Sequence, residues 1–137
     1  MTRRYLLDSG PAFDYIFRRR GVYERARDTR QTGAKVGIGV PVLGEIIGGI
    51  EASTSRDQNW DVVKHGLKTL ILWPFDKAAA YNYGRLFSEL RRVGRTMQQI
   101  DIQIGAIALS LGSCVVVTTD SDLAAIPGLT VENWTRP

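Results

Sequence analysis

The 137-residue chain has one cysteine, Cys114, and one histidine, His65. A lone cysteine excludes an internal disulfide and a cysteine-rich zinc site, and a lone histidine excludes the histidine pairs on which many zinc hydrolases depend. Ser9 and Ser113 lack a credible histidine-based triad, because His65 falls in a weakly helical stretch remote from both. Phosphate-cradling glycine loops are missing too: Gly37-Ile38-Gly39 followed by Gly44 fails the GxGxxG spacing, and no GxxxxGK[S/T] run exists. The start lacks a secretory pattern, since only three apolar residues separate Met1-Thr2-Arg3-Arg4 from Asp8, so the mature chain is expected to begin near residue 1. Residues 102–119 are uncharged for 18 residues, which is about the lower length of a spanning helix. Gly112-Ser113 breaks that run, Gln103 and Ser110 interrupt it, and Cys114-Val115-Val116-Val117 favours a strand. The expectation is a helix followed by a strand in a soluble, cytoplasmic protein with no membrane segment. Hydrolytic chemistry, if any, is left to carboxylates and the hard cations they hold.

What is present supports a folded core. Hydrophobic residues make up 44% of the chain and charged residues 23%, which argues against disorder and for one domain over residues 1–137. The 18 Lys and Arg residues outnumber the 14 Asp and Glu residues, and 14 of the 18 are Arg, whose planar fork of donors suits phosphate. Net charge alone permits a polyanionic partner but favours a solvated basic surface. Trp60, Trp73 and Trp134 are spread through the chain and read as packing residues before base-stacking ones. Cys114 reads as core, and His65 as a surface or packing residue.

Along the chain, Tyr5-Leu6-Leu7 reads as a buried strand entering a turn at Asp8-Ser9-Gly10-Pro11. Residues 12–20 and 22–32 read as helices, the second stopped by Gly33. Residues 35–38 make a second strand, and a helix after Pro41 carries Leu43, Ile46, Ile47 and Ile50, with Glu45 in its first half. Residues 56–68 are weakly helical, and residues 70–73 form a third strand stopped by Pro74. Asp76 caps a long helix with Ala79, Tyr83, Leu86, Phe87 and Leu90 on its apolar side, ended by Gly94. Residues 99–111 form another helix, with Asp101 in its first turn and Gly112 after it. A fourth strand at 115–118 and a last one near 130–132 complete an alternation that implies an α/β sandwich with a mostly parallel sheet.

Parallel sheets bind ligands beyond the carboxyl ends of their strands. Asp8 follows the first strand and Asp120 the fourth, so both face the same edge. Glu45 and Asp101 each interrupt an apolar stretch, where a charge needs a cation, an Arg or a hydrogen-bonding partner. Two such carboxylates ~4 Å apart repel by about 4 kcal/mol at an effective dielectric near 20, and a divalent cation relieves that repulsion. Oxygen-only ligands suit Mg²⁺ or Mn²⁺. Without a cation, the same acids pair with Arg inside the fold or cap turns.

Tyr5-Leu6-Leu7-Asp8-Ser9, Gly44-Glu45-Ile46, Asp101-Ile102-Gln103-Ile104-Gly105-Ala106-Ile107-Ala108 and Thr118-Thr119-Asp120-Ser121-Asp122-Leu123 come in this order, followed by Ile126-Pro127-Gly128-Leu129 and Glu132-Asn133-Trp134. In order and spacing the chain resembles the PIN-domain ribonucleases, specifically the VapC-type toxins of type II toxin-antitoxin systems, over nearly its whole length. The resemblance implies a PIN-like three-layer sandwich around a five-stranded sheet ordered 3-2-1-4-5. It implies a metal-dependent endoribonuclease, hydrolysing RNA phosphodiesters with water activated at a carboxylate-bound Mg²⁺, that forms a homodimer and is inhibited by a cognate antitoxin protein. The family's metal-binding acids fall on Asp8, Glu45, Asp101 and Asp120, with Asp122 as an additional ligand or supporting acid and Ser9 as the supporting hydroxyl. Gly10, Gly105 and Leu123 depart from the family's frequent polar residue, Ala and Phe, and none removes an acid. Arg91, Arg92 and Arg95 precede the Asp101 helix and are candidates for holding RNA phosphates, against a solvated helix end. Two rivals accompany this reading: a catalytically silent PIN-like RNA-binding protein, and a phosphoacceptor receiver domain, for which a late strand-end Lys is lacking.

Overall fold

The computed structural model describes residues 2–135; Met1, Arg136 and Pro137, which the expected domain includes, lie outside the described residues. Strands β1 (Arg4–Leu7), β2 (Lys35–Gly39), β3 (Ile71–Trp73), β4 (Cys114–Val117) and β5 (Thr130–Glu132) form one sheet in the order β3-β2-β1-β4-β5. Every neighbouring pair is parallel, so the sheet is parallel throughout and not just mostly so. The reason lies in the connections. Helices α1 (Ser9–Ile16) and α2 (Val22–Gln31) return the chain from β1 to β2, and α3 (Val40–Glu51) and α4 (Arg56–Leu67) return it to β3. The long α5 (Lys77–Arg92) and α6 (Gln99–Leu111) cross back to β4, and the short α7 (Ser121–Ala124) leads to β5. Each helical return starts the next strand from the same end.

The central strands are apolar because helices cover both of their faces. Leu6, Leu7, Val116 and Val117 are buried in one core with Ile104 and Ile107 of α6 and Val42 and Ile46 of α3. Gly105 is fitted to this layer: a Cβ there would lie 2.7 Å from Ile126 Cδ1, so the missing methyl admits Ile126.

Two boundaries differ from the sequence-based expectation. Residues 9–11, expected as a turn, are the first turn of α1, which Asp8 caps by accepting the Ser9 N–H. Pro11 fits there because N–H groups in the first turn have no intrahelical acceptor. The same helix ends at Ile16, not Arg20, since Arg18 and Arg20 adopt φ of +57° and turn the chain toward α2. Asp76 does cap α5, accepting the Ala79 N–H at 3.0 Å. Phe87, expected on that helix's apolar side, is instead exposed, and Cys114 is only half-buried. The uncharged run at 102–119 resolves into α6 and β4, and no helix of the described residues is long and apolar enough to cross a membrane.

Candidate metal centre

The chain runs outward from β1 to β3 and then returns to place β4 on β1's other side, so the strand order reverses between β1 and β4. That crevice is where an α/β sheet gathers a ligand site. Register makes the gathering concrete: Leu7 pairs with Val117, and the Asp8 N–H donates to the Val117 carbonyl at 2.9 Å. Asp8 and Thr118 therefore leave the sheet side by side. Thr118 is 4% exposed, and its hydroxyl donates to Asp8 Oδ2 at 2.8 Å while accepting the Asp120 N–H at 2.9 Å. One buried hydroxyl thus ties the acids after β1 and β4 together. Asp120 caps α7 by accepting the Asp122 N–H at 2.9 Å, which turns Asp122 toward the same place.

The result is a cleft of about 210 Å³ lined by Asp8, Ser9, Glu45, Asp101, Asp120 and Asp122, with Gln98 and Ile100 at its side. All four acids expected as ligands, the fifth acid and the expected hydroxyl meet there. Carboxylate oxygens of Asp101, Asp120 and Asp122 lie within 4.8 Å of one another. Asp101 is the least exposed, at 8%, in the first turn of α6. Glu45 differs from expectation: it lies on an exposed stretch of α3 and reaches the cleft from its rim.

Electrostatics matches this crowding. Burial, and then the charges of Asp8, Asp120, Asp122 and Glu45, push the Asp101 carboxyl up to about 6 from an ordinary 3.8. Burial also raises Asp8; the Thr118 hydroxyl and the Ser9 N–H oppose the rise, and Asp120 adds to it. Glu45 is raised by partial desolvation, opposed by a hydrogen bond from the Ser9 side chain, with Asp8 adding repulsion. Among the described residues a single salt bridge answers these five acids: Arg95 donates to Asp122 Oδ1 at 2.8 Å. Arg91 lies on the last turn of α5 beside a neighbouring groove that Arg95 also lines, and Arg92 is exposed on that same turn.

Thr118 was the residue missed by sequence reasoning, although it stands in the quoted Thr118-Thr119-Asp120 run. A hydroxyl two residues before a turn acid is a local signal for an ST-type turn. Its second partner, 110 residues away, is visible only once β1 and β4 are paired.

Sheet order and acid placement define the PIN class of α/β proteins. No family model matches the chain. Over 100 residues it is 30% identical to the tRNA(fMet)-specific endonuclease VapC of Shigella flexneri, covering 73% of this chain and 76% of that protein. It is 26% identical over 131 residues to ribonuclease VapC2 of Haemophilus influenzae, covering 96% and 98% of the two. A chain of the DNA-bound VapBC structure from Salmonella typhimurium superposes with a TM-score of 0.86 at 29% identity, over 98% and 99% of the two chains. The chain belongs to the VapC family of ribonucleases.

Proposed function

We propose that this chain, acting as one domain over residues 1–137, is the Mg²⁺-dependent endoribonuclease toxin of a toxin-antitoxin pair. The observation that carries the reading is the convergence of Asp8, Glu45, Asp101, Asp120 and Asp122 on one cleft with a single Arg to answer them among the described residues. The donor set fits a hard divalent ion: carboxylate oxygens surround the cleft, and neither His65 nor Cys114 lines it. Asp8, Glu45, Asp101 and Asp120 would hold Mg²⁺, or Mn²⁺ in its place, with Asp122 as a further ligand. When bound, the ion supplies a water acidified toward neutrality and positive charge where the phosphorus transition state gathers negative charge.

The chain's own groups do the rest. Thr118 and the Ser9 N–H hold the Asp8 carboxylate from two sides, and the Ser9 hydroxyl steadies Glu45. An acid of the cleft takes the proton of the attacking water, and Arg91, Arg92 and Arg95 hold substrate phosphates beside it. The Shigella relative is named for tRNA(fMet), which makes tRNA the first substrate class to test.

The Salmonella neighbour is a VapBC complex, and an antitoxin is the partner proposed here. A cleft of about 410 Å³ between α1, α2 and α4, with Tyr15, Ile16, Tyr23 and Val62 in its walls, offers an apolar seat for an antitoxin segment. A second copy of the chain completes the assembly, and exposed Ile71 and Leu72 on edge strand β3, with exposed Val40 at the start of α3, supply apolar surface for it. The proposed site of action of the pair is the cytoplasm.

The deciding experiment is RNA cleavage by the purified protein with Mg²⁺ or Mn²⁺, run beside Asp101→Asn and Glu45→Gln. Discrete cuts by the parent, absent with chelator and lost in both variants, are expected. Equal cleavage by parent and variants would place the chemistry elsewhere.

A further inference from the structure

Next to the acidic cleft lies a second groove of about 340 Å³, between the end of α5, the loop at 93–98 and the start of α6. We propose that it is a nucleotide subsite that takes the base flanking the scissile phosphate, an inference that rests on the ribonuclease reading above. Its apolar walls are Phe87, Leu90, Met97 and Ile102, its rim carries Arg91 and Arg95, and no acid lines it. An apolar slot with guanidinium groups at the mouth fits a nucleobase joined to a phosphate better than an acidic or purely apolar partner.

Three observations extend the argument. Phe87 is 46% exposed although its helix is amphipathic, so an aromatic face stays open where packing has no use for it. Its ring is held nearly parallel to that of Tyr83, with 6.2 Å between centroids and 19° between planes, and Tyr83 meets Phe75 edge-on at 6.1 Å. The exposed ring is thus the outer member of a supported stack, ready to receive a base on its free face. Arg95 joins the two sites, since it lines the groove while its guanidinium bonds Asp122 of the acidic cleft. A strand with its scissile phosphate in the cleft must pass this guanidinium, and the adjoining nucleotide falls in the groove. Gly94, at φ of +71°, sets the turn that presents Arg95 there. An acidic cleft alone would repel a polyanion; a basic, aromatic groove sharing its border gives the substrate a hold beside it.

The test uses the full chain and a set of short oligoribonucleotides around a mapped cut, each with one abasic residue beside the scissile bond. For the parent, removing the base on one side lowers kcat/KM by about tenfold, the scale of one base–aromatic stack. Phe87→Ala brings the intact substrate down to the abasic level, and Phe87→Leu falls between. Arg95→Ala lowers the dependence of log affinity on log salt by about one phosphate contact. An unchanged intact-to-abasic ratio in folded Phe87→Ala overturns the subsite. If the parent cuts no RNA, the ribonuclease reading fails on its own. The groove is then judged by fluorescence anisotropy of Asp101→Asn, with and without Phe87→Ala, on short single-stranded oligoribonucleotides that are intact or carry one abasic residue at each position in turn. Equal binding of intact and abasic strands by Asp101→Asn would overturn the proposal. A drop in oligomeric mass of Phe87→Ala with the ratio unchanged would assign this face to a second copy of the chain, and would also overturn it.

Discussion

The two ends of α6 face opposite edges of the same sheet and treat charge in opposite ways. At its C-terminal end Arg4 donates to the Leu111 and Gly112 carbonyls at 3.3 and 3.2 Å, placing a cation where the helix presents unsatisfied acceptors and partial negative charge. At the N-terminal end Asp101 has the favourable pole of the helix beside it, yet four other acids line its cleft and its carboxyl is pushed up to about 6. One end is compensated within the fold. The other is left short of positive charge, the state that the proposed cation would relieve.

The largest way to break the contrast is Asp101→Asn. It removes the least exposed carboxylate of the proposed metal ligands, so cleavage should fall by at least about 100-fold, beyond the loss typical of an outer partner of a metal ligand. A steady-state assay on the mapped RNA checks it.

Acid sharpens the same contrast. As a proposed metal ligand Asp101 must be ionised, so at subsaturating metal the rate should fall by up to about tenfold per pH unit below its metal-free value of about 6. Stability without metal has the opposite dependence. Because the folded-state value lies above the ordinary 3.8, the protonated carboxyl favours the folded state below about 3.8, and that advantage is lost as pH rises through about 6. Denaturant midpoints across pH 4 to 7, measured for the parent and Asp101→Asn, should diverge in that window, with the parent falling more.

Thr118→Val tests whether the tie between the two central acids matters. It removes the donor to Asp8 and the acceptor of the Asp120 N–H while keeping the shape, and about a tenfold loss of activity with a stability loss of about 1 to 2 kcal/mol is expected. Kinetics at saturating metal and a urea melt separate the two effects. The smallest effect belongs to the compensated end. Arg4→Met keeps the stem and removes the charge, costing about 0.5 to 1 kcal/mol of stability and leaving the cleavage rate alone, as paired melts and assays would reveal.

Much of this contrast is legible in the sequence. Alternating apolar runs and stop residues placed the five strands, and the acids after β1 and β4 implied a shared edge, because parallel strands end on the same side. Asp101 was identifiable as an acid within an apolar helix, and it is buried. The features that escaped depend on tertiary placement. Glu45 sits in an equally apolar run, yet α3 turns it toward solvent at the rim. The Ser9-Gly10-Pro11 stretch has turn chemistry, but Asp8 converts it into the opening of a helix. The pairing of Thr118 with Asp8 and of Arg95 with Asp122 joins residues 110 and 27 positions apart, a relation that local pattern does not carry.

The central claim is that the acids of the cleft oppose one another until a divalent ion joins them, and thermal melting of the parent and Asp101→Asn near pH 7.5, with and without Mn²⁺, tests it most directly. Without the ion, Asp101→Asn should melt a few degrees higher, since about 1 kcal/mol moves the midpoint by ~2 to 8 °C in a domain of this size. Saturating Mn²⁺ should then raise the parent well above its metal-free midpoint and move the variant far less. A variant that melts lower than the parent without metal, or an equal Mn²⁺ shift in both proteins, would contradict the account.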